Sequence, residues 1–347
     1  MNESLNATNF FNFAIILQGP ITNGDVIDKK VIRNVIKTRK LFPISKIIVS
    51  CWDTNEKNKS ALKNIARYYN FDIIYNVDPG CIVTYVRGAK LVCNLNRMIV
   101  STINALNIID DKYVIKIRSD SYFSTDKIKD FLRGFYFNKS FPLLRDARYT
   151  VFEERVINGD LFARDPNGYL PYLFHPGDIL LAGLTSDLIK LFDVPLAKGD
   201  IFSVSRRCYF YSMMRFVPEQ YIWVNCIKNV TNQYPFLGNS YFSNELVVLS
   251  ENYYVNNFYL VESKEMDFHW PKHSTHYNNK GRFSLYNKAD WGELYSKYIM
   301  KERNHPPFNH KKKLITKVMI VYFTIRTIIL RFPYVRMLAI KLFSNRG

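Results

Sequence analysis

Residues 113–121, YVIKIRSDS, decide the fold of this chain. The first five residues are mostly apolar, as in a fully buried strand, and Arg118, Ser119 and Asp120 follow at once. A carboxylate at such a strand end can bind a hard divalent cation, because Mg²⁺ and Mn²⁺ prefer oxygen ligands. The alternative is structural, since Ser-Asp-Ser is also good capping chemistry for a helix over residues 125–133.

Before this stretch, short apolar runs alternate with amphipathic segments. The pattern predicts strands over residues 13–18, 46–51 and 71–75 and helices over residues 26–40, 55–69 and 88–106. This alternation is typical of an α/β fold with a single, mostly parallel sheet flanked by helices. Ligands bind beyond the carboxyl ends of such strands. We therefore expect a site at the segments that follow them: Gln18-Gly19-Pro20, Cys51-Trp52-Asp53, Asp78-Pro79-Gly80 and Arg118-Ser119-Asp120.

After this half, residues 140–302 are rich in aromatic side chains and lack a clear alternation of helix and strand. We expect one catalytic domain over residues 1–302, with a donor half near residues 12–133 and an irregular acceptor half over residues 140–302. Two long loops are expected, over residues 85–87 and 145–169, and long loops in compact domains are often functional.

The formal charge of +18 is concentrated in a C-terminal tail, residues 303–347, which holds ten basic residues and no acidic one. Residues 314–330 are apolar but include Lys317 and Arg326, and they are shorter than the roughly 20 residues that a membrane span needs. We interpret the tail as an amphipathic helix, kinked near Pro333, on an anionic membrane surface. The alternatives are a helix packed on the catalytic domain and, less favoured, nucleic-acid binding.

The location of the protein is predicted from its N-terminus and its cysteines. Residues 1–11 carry no positive segment before the first apolar run, and no small-residue cleavage site follows. The five cysteines form no CxxC pair and no Cys/His metal spacing, so we expect reduced thiols. We predict a cytoplasmic protein, peripherally associated with the inner face of the cytoplasmic membrane.

Short pieces of the chain, in order, resemble the WavE-type lipopolysaccharide-synthesis proteins, which are regarded as GT-A-like glycosyltransferases. These pieces are LQGP (17–20), IVSCW (48–52), DPG (78–80), RG (87–88), NLNRMIVST (94–102), KIRSD (116–120), HPGD (175–178) and PEQ (218–220). They span about residues 13–225, and the tail lies outside them. The resemblance implies a GT-A-like fold in which Arg118-Ser119-Asp120 takes the place of the Asp-x-Asp motif that holds donor and metal.

The chain departs from that motif at one position, because Arg118 stands where the fuller motif has Asp. Arg118 can neutralise phosphate itself, or it can pair with Asp120 and leave one carboxylate for a metal. The resemblance implies a divalent cation, Mg²⁺ or Mn²⁺, at Asp120. The Arg at position 118 leaves open whether the protein requires that metal.

Sugar transfer from a nucleotide diphosphate donor needs a donor pocket and neutralisation of the leaving diphosphate. We expect donor contacts from the strand ends and from the helix before residues 113–117. Gly19 allows close backbone approach, Trp52 offers an aromatic platform, and Arg97 is suited to phosphate or to Asp120. The expected donor-binding residues are Gln18, Gly19, Pro20, Trp52, Asp53, Asn96, Arg97, Arg118 and Asp120. The alternatives are a strand-ending turn at residues 18–20 and a surface salt bridge for Arg97.

Transfer also needs a base that deprotonates the acceptor hydroxyl, and a carboxylate is usual for inverting transfer. Glu219 and Asp178 are the catalytic candidates. We prefer Glu219 as the base, with Asp178 and His175 binding the acceptor. The alternatives are a turn cap for Asp178 and a helix N-terminal charge for Glu219.

Three histidines, His269, His273 and His276, lie in DFHWPKHSTHY. Their spacing is that of metal ligands, but Pro271 interrupts the helix that would align them. An ordinary surface loop is the favoured interpretation, with a contact to phosphate or to a donor metal as the alternative.

The leading hypothesis is a glycosyltransferase that moves a sugar from a nucleotide-activated donor to a lipopolysaccharide, lipooligosaccharide or capsule acceptor. Its expected partners are the nucleotide sugar, the glycolipid or oligosaccharide acceptor and an anionic membrane surface, with no nucleic acid. The alternatives are a non-catalytic, membrane-associated scaffold of GT-A shape and a basic nucleic-acid-binding protein.

Overall fold

A computed structural model describes residues 12–86, 89–137, 143–207, 210–272, 274, 280–302, 310–335 and 337–338. The described strands are β1 Ala14–Gln18, β2 Thr22–Asn23, β3 Val26–Ile27, β4 Ile47–Trp52, β5 Asp72–Asn76, β6 Ile82–Val86, β7 Ala89–Cys93, β8 Tyr113–Arg118, β9 Tyr122–Phe123, β10 Val156–Gly159, β11 Leu180–Leu184, β12 Phe202–Arg207, β13 Phe210–Met214, β14 Phe258–Val261 and β15 Phe268–His269. The described α-helices are α1 Lys29–Leu41, α2 Glu56–Tyr69, α3 Leu95–Leu106, α4 Lys127–Leu132, α5 Thr185–Phe192, α6 Pro218–Thr231, α7 Asn244–Asn257, α8 Lys288–Tyr295 and α9 His310–Ile329.

Seven strands form one central sheet in the order β14-β10-β11-β8-β1-β4-β5. All neighbouring pairs are parallel except those of β11, which runs antiparallel to both β8 and β10. Strand β1 is buried along its whole length, as expected for a central strand covered by helices on both faces. The predicted α/β fold with a mostly parallel sheet is confirmed.

The first helices form because each has a capped N-terminus and one apolar face. In α1, the Asp28 side chain accepts a hydrogen bond from the Lys30 backbone N–H at 2.7 Å, while Val31 and Val35 are buried. In α2, Asn55 caps the first turn. Both helices match the sequence prediction to within a few residues.

The predicted helix over residues 88–106 is wrong in its first part. It begins only at Leu95, because residues 89–93 pair as β7 with β6 in an antiparallel hairpin. Tyr85, predicted in a loop, lies in β6, whereas Arg87 falls outside the described residues. Apolar residues at this spacing fit either structure, and the hairpin partner decides between them.

The predicted long loop over residues 145–169 is interrupted by β10, which lies inside the central sheet. Its four residues are buried between β11 and β14. The strands β10, β11 and β14 all come from the half that showed no clear alternation, so the sheet draws on both halves of the chain.

The tail helix α9 packs one side on the rest of the protein and exposes the other. Lys312 is buried and its Nζ lies 2.6 Å from the Asp165 carboxylate and 2.5 Å from that of Asp290. Phe323 stacks on Tyr169, with ring centroids 5.5 Å apart. An apolar stripe at helical spacing faces outward: Leu314, Val318, Val321, Tyr322 and Ile325. In the described part of the chain, no helix combines the length and the apolar character that crossing a membrane requires.

Candidate active site

A cavity of about 780 Å³ opens at the carboxyl edge of the sheet, within the roughly 300–1,000 Å³ typical of small-molecule sites. Strands β1, β4 and β8 bring Gln18, Trp52 and Arg118 to its wall. The segment before β11 and the first turn of α6 bring Asp178 and Glu219 to the same wall. The cavity therefore combines residues from both halves of the chain.

Gly19 lets the end of β1 approach the turn after β8. Its φ is +136°, and a Cβ added there would lie 2.7 Å from Ser119 Oγ. The two segments are joined by a hydrogen bond from the Ser119 backbone N–H to the Gln18 carbonyl oxygen at 2.9 Å. A side chain at position 19 would push them apart.

Gln18 lines the cavity and carries a buried acceptor. Its Nε2 donates to Ser101 Oγ at 2.8 Å, which fixes the orientation of the amide. Its Oε1 is buried and has no hydrogen-bond partner among the described residues. Because a buried acceptor without a partner is costly, a hydroxyl or N–H of a bound molecule would stabilise this group.

Arg118 and Asp120 form a two-point ion pair after β8. Arg118 Nε lies 2.9 Å from Asp120 Oδ1, and Arg118 Nη2 lies 3.0 Å from Oδ2. Trp270 Nε1 also donates to Asp120 Oδ1 at 3.1 Å. Each carboxylate oxygen therefore accepts at least one hydrogen bond, and a metal at Asp120 would have to share the carboxylate with Arg118.

Arg97 forms the second such pair. Its guanidinium donates to both carboxylate oxygens of Asp78, with Nε 2.7 Å from Oδ1. Arg97 Nη1 also donates to Asn94 Oδ1 at 3.1 Å. The helix α3 is thereby tied to the turn after β5, and Arg97, Asp78 and Asn94 all line the cavity.

Four ionisable groups at this site form two pairs, Lys116 with Asp178 and His175 with Glu219. Lys116 is fully buried, and its Nζ donates to the backbone oxygen of Asp178 and lies 3.4 Å from Asp178 Oδ2. His175 Nε2 lies 3.4 Å from Glu219 Oε2, with His175 buried behind Glu219. Lys116 therefore fixes Asp178, and His175 supports Glu219.

Burial shifts the pKa values of the second pair in opposite directions. Burial, reinforced by the Asp178 carboxylate, raises the pKa of Glu219 to about 8. Burial and the nearby Arg164 guanidinium lower the pKa of His175 to about 3. At neutral pH His175 is therefore uncharged, and the Glu219 carboxyl keeps its proton up to about pH 8.

Most of the predicted site residues lie together. Those that line the cavity are Gln18, Gly19, Pro20, Trp52, Arg97, Arg118, Asp178 and Glu219. Asp120 lies beside the wall through Arg118, and His175 lies behind Glu219.

Two predicted donor contacts lie outside the cavity wall. Asp53 is exposed and forms an ion pair with Lys59 at 2.8 Å. The Asn96 side chain donates to and accepts from the Ala197 backbone at 3.0 and 2.8 Å. The Asp53 carboxylate is therefore paired at the surface, and the Asn96 amide is used on the backbone of a neighbouring segment.

Sequence reasoning missed the cavity residues that come from far along the chain, Phe162, Trp270 and Lys272. In the stretch DFHWPKHSTHY, the sequence prediction concerned the histidines, whereas it is the tryptophan and the lysine that line the cavity. His269 bonds through Nε2 to Ser124 Oγ at 2.8 Å and stacks on Tyr122. His273 and His276 fall outside the described residues. The basic, aromatic character of this stretch was the available signal.

Comparison with known proteins supports a family assignment. The model of the family described as WavE lipopolysaccharide synthesis matches residues 13–322. The match thus continues past the pieces quoted above and into the first part of the tail, which was expected to lie outside. No curated protein sequence matches the chain.

Several solved structures are similar to this chain over much of its length. A mannosyltransferase from Pyrobaculum calidifontis, in complex with GDP-Man and Mn²⁺, is 8% identical, with 92% of this chain and 74% of that chain covered and a TM-score of 0.35. TarS 1–349 from S. aureus is 10% identical, with 92% and 81% covered and a TM-score of 0.31. A cytidylyltransferase from Leptospira borgpetersenii is 11% identical, with 86% and 99% covered and a TM-score of 0.36.

Proposed function

The chain belongs to the WavE lipopolysaccharide-synthesis family, and we propose that it is a nucleotide-sugar-dependent glycosyltransferase. Its proposed acceptor is a lipopolysaccharide, lipooligosaccharide or capsule glycan at the inner face of the cytoplasmic membrane. The donor half, about residues 12–133, and the acceptor half, residues 140–302, would then form one catalytic unit around the shared cavity.

The observation that carries this proposal is the position of Glu219 in the wall of the same cavity as the strand ends that would hold a donor. A general base works best when its pKa lies near the operating pH, and the pKa of Glu219 is raised to about 8. In the proposed reaction Glu219 takes the proton of the acceptor hydroxyl, and the acceptor oxygen bonds to the anomeric carbon. The nucleoside diphosphate leaves with the electron pair of the broken bond.

Asp178 is the proposed acceptor-binding residue. Lys116 holds its backbone oxygen and faces its carboxylate, so the free lone pairs of that carboxylate can accept hydrogen bonds from sugar hydroxyls. His175 was predicted to bind the acceptor as well. Its buried position supports a different role, that of orienting Glu219 from behind.

The donor would lie over the ends of β1, β4 and β8. Gln18 offers its unpaired Oε1 to a base or ribose, and Gly19 permits close approach of the backbone. Trp52 gives an aromatic face in the same cavity. Arg118 and Arg97 supply positive charge for the phosphates.

Whether Asp120 holds a divalent cation was left open from the sequence, and a metal there would have to share the carboxylate with Arg118. Arg118 and Trp270 engage both oxygens of the Asp120 carboxylate. Within the described ranges, no group of three or more His, Cys, Asp and Glu side chains is arranged to hold a metal ion, although Mg²⁺ is commonly held by one or two carboxylates together with substrate phosphates. No step of the proposed reaction is assigned to a metal.

We propose further that the tail helix α9 rests on an anionic membrane surface. Its outward stripe is apolar, and Lys311, Lys313, Lys317 and Arg331 flank it with positive charge. Basic residues near an anionic leaflet contribute about 1 kcal/mol each. Because Lys312 fixes α9 to the catalytic domain, membrane contact would also orient the domain.

The test of the catalytic proposal is a screen of nucleotide sugars for donor hydrolysis and for thermal stabilisation of the purified protein. We expect one donor class to stabilise the protein and to be hydrolysed slowly, with hydrolysis lost in Glu219→Gln. Stabilisation without turnover would instead favour the scaffold alternative. If no nucleotide sugar binds, the proposed function is wrong.

A further inference from the structure

Lys272 differs from the other cations of the cavity wall. Arg97 and Arg118 are each held by a carboxylate, Asp78 and Asp120 respectively. Lys272 lines the same cavity and is exposed, and it forms no ion pair with any residue that the structure describes. Among the described residues, it is therefore the one cation of this wall that no carboxylate pairs with.

The segment that carries Lys272 is anchored to the turn after β8. Strand β15 pairs antiparallel with β9, which begins two residues after Asp120. Trp270 Nε1 donates to the Asp120 carboxylate, and the Trp270 ring lies 5.6 Å from the Arg118 guanidinium carbon. Trp270 also packs edge-on against Phe162, with ring centroids 5.4 Å apart.

The polar side chains of Asp267 and His269, just before Trp270, also hold this segment in place. Asp267 accepts a hydrogen bond from Thr125 at 2.8 Å and pairs with Lys127 at 2.7 Å. His269 bonds to Ser124 and stacks on Tyr122. Two residues beyond the anchored Trp270, the chain brings Lys272 to the cavity wall.

A leaving diphosphate must have its charge neutralised, and the Asp120 carboxylate, which would coordinate a metal for this purpose, is already bound by Arg118 and Trp270. A lysine ammonium is a compact point charge that binds phosphate oxygens well. We propose that Lys272, together with Arg118, holds the diphosphate of the donor in place of a divalent cation. This inference rests on the proposed function and names the chemistry of its donor site.

The test measures binding of UDP, GDP, CDP, ADP and dTDP, and of the corresponding nucleosides, by calorimetry in EDTA. We expect one diphosphate to bind without metal and Lys272→Gln to weaken it about ten- to a hundred-fold, as for loss of a charged hydrogen bond. The nucleoside should bind Lys272→Gln as it binds the wild type. Lys264→Gln is the control, because Lys264 lies earlier in the same exposed segment and does not line the cavity.

The outcomes separate this inference from the proposed function. Diphosphate binding that appears only with Mg²⁺ or Mn²⁺ would overturn the inference and leave the glycosyltransferase proposal standing. Equal weakening of nucleoside and diphosphate in Lys272→Gln would also overturn it, since that pattern indicates a structural role. If no diphosphate binds with or without metal, both proposals are wrong.

Discussion

Arg118 and Asp120 stand two residues apart at the end of β8 and bind each other through two parallel hydrogen bonds of 2.9 and 3.0 Å. The strand thus ends in an internal ion pair, where a motif of two aspartates would offer free carboxylate oxygens. Two-point arginine–carboxylate pairs fix the guanidinium plane as well as its charge. Asp120 therefore positions Arg118.

The first prediction concerns this pair. Asp120→Ala should weaken binding of the nucleoside diphosphate roughly ten-fold, about 1.4 kcal/mol, because Arg118 loses the group that orients it. Asp120→Asn should lose less affinity for the nucleoside diphosphate, since its amide oxygen still accepts one hydrogen bond. Calorimetric titration in EDTA measures both, with Asp126→Ala, an exposed aspartate six residues on, as the control. Wild-type affinity that falls when EDTA is added would contradict the assignment and restore Asp120 as a metal ligand.

The second prediction concerns Glu219. Glu219→Gln should reduce sugar transfer by about 10²- to 10⁴-fold, the range for loss of a general base, with donor affinity unchanged. Wild-type transfer should rise with pH through about 8, the pKa of Glu219, because the base acts in its deprotonated form. Initial rates across pH 6 to 9 would be compared with those of Glu245→Gln, a carboxylate in the first turn of α7 that is exposed. A flat pH profile would exclude Glu219 as the base.

Urea denaturation distinguishes a loss of catalysis in Glu219→Gln from misfolding of that variant. The pKa of Glu219 is higher in the folded chain than in the unfolded one, so the folded state binds more protons between about pH 4.5 and 8. The stability contributed by Glu219 is present at low pH and is lost as pH rises through this window. Glu219→Gln should therefore be at least as stable as the wild type at pH 8 in urea denaturation.

The third prediction concerns Lys116 and Asp178. Lys116→Met should destabilise the protein by about 3–5 kcal/mol, because it leaves the nearly buried Asp178 carboxylate without its cation. The double variant Lys116→Met with Asp178→Asn should recover part of that loss in a double-mutant cycle. Lys63→Met, on the exposed side of α2, is the control for removing a lysine. Additive effects of the two changes would mean that the pair does not interact.

The sheet itself was predictable because its first half obeys simple periodicity. Apolar runs ending in Gln18, Cys51 and Arg118 identified strands whose carboxyl ends do meet at one cavity. Parallel strands place their ends at one edge, so the order of elements was enough. The family resemblance added Asp178 and Glu219 from the other half.

The features that could not be predicted from the sequence depend on contacts between distant segments. Lys272 reaches the cavity through the pairing of β15 with β9, which joins segments about 145 residues apart. The four-residue strand β10 has no periodicity of its own and is defined by its neighbours. Likewise, nothing in the sequence around Asn96 shows that its amide is spent on the Ala197 backbone.

The fourth prediction concerns the attachment of the tail helix. Lys312→Met should destabilise the protein by about 3–5 kcal/mol, because Asp165 and Asp290 would be left together without a cation. Lys311→Met, which removes an exposed charge from the same turn, should change stability by less than about 0.5 kcal/mol. Urea denaturation compares the two. Equal effects would mean that α9 is not held by this ion pair.

The fifth prediction concerns the outward stripe of α9. Cutting off the tail would also remove Lys312, so a loss of membrane binding in a truncated chain would be confounded by loss of stability. The sharper variant changes four exposed residues of the stripe to glutamine: Leu314, Val318, Val321 and Ile325.

This variant should keep the thermal stability of the wild type, because the replaced side chains are exposed in the folded protein. It should lose most of its flotation with anionic liposomes, since interfacial helices bind through buried apolar area together with charge. A variant with glutamine at Val26, Val77 and Val248, which are exposed elsewhere, controls for general surface apolarity. Wild-type flotation should also fall in 0.5 M salt and on zwitterionic vesicles, because the flanking lysines act on anionic lipid. If the stripe variant floats as well as the wild type, α9 does not contact the membrane through this face, and the proposed orientation of the catalytic domain fails with it.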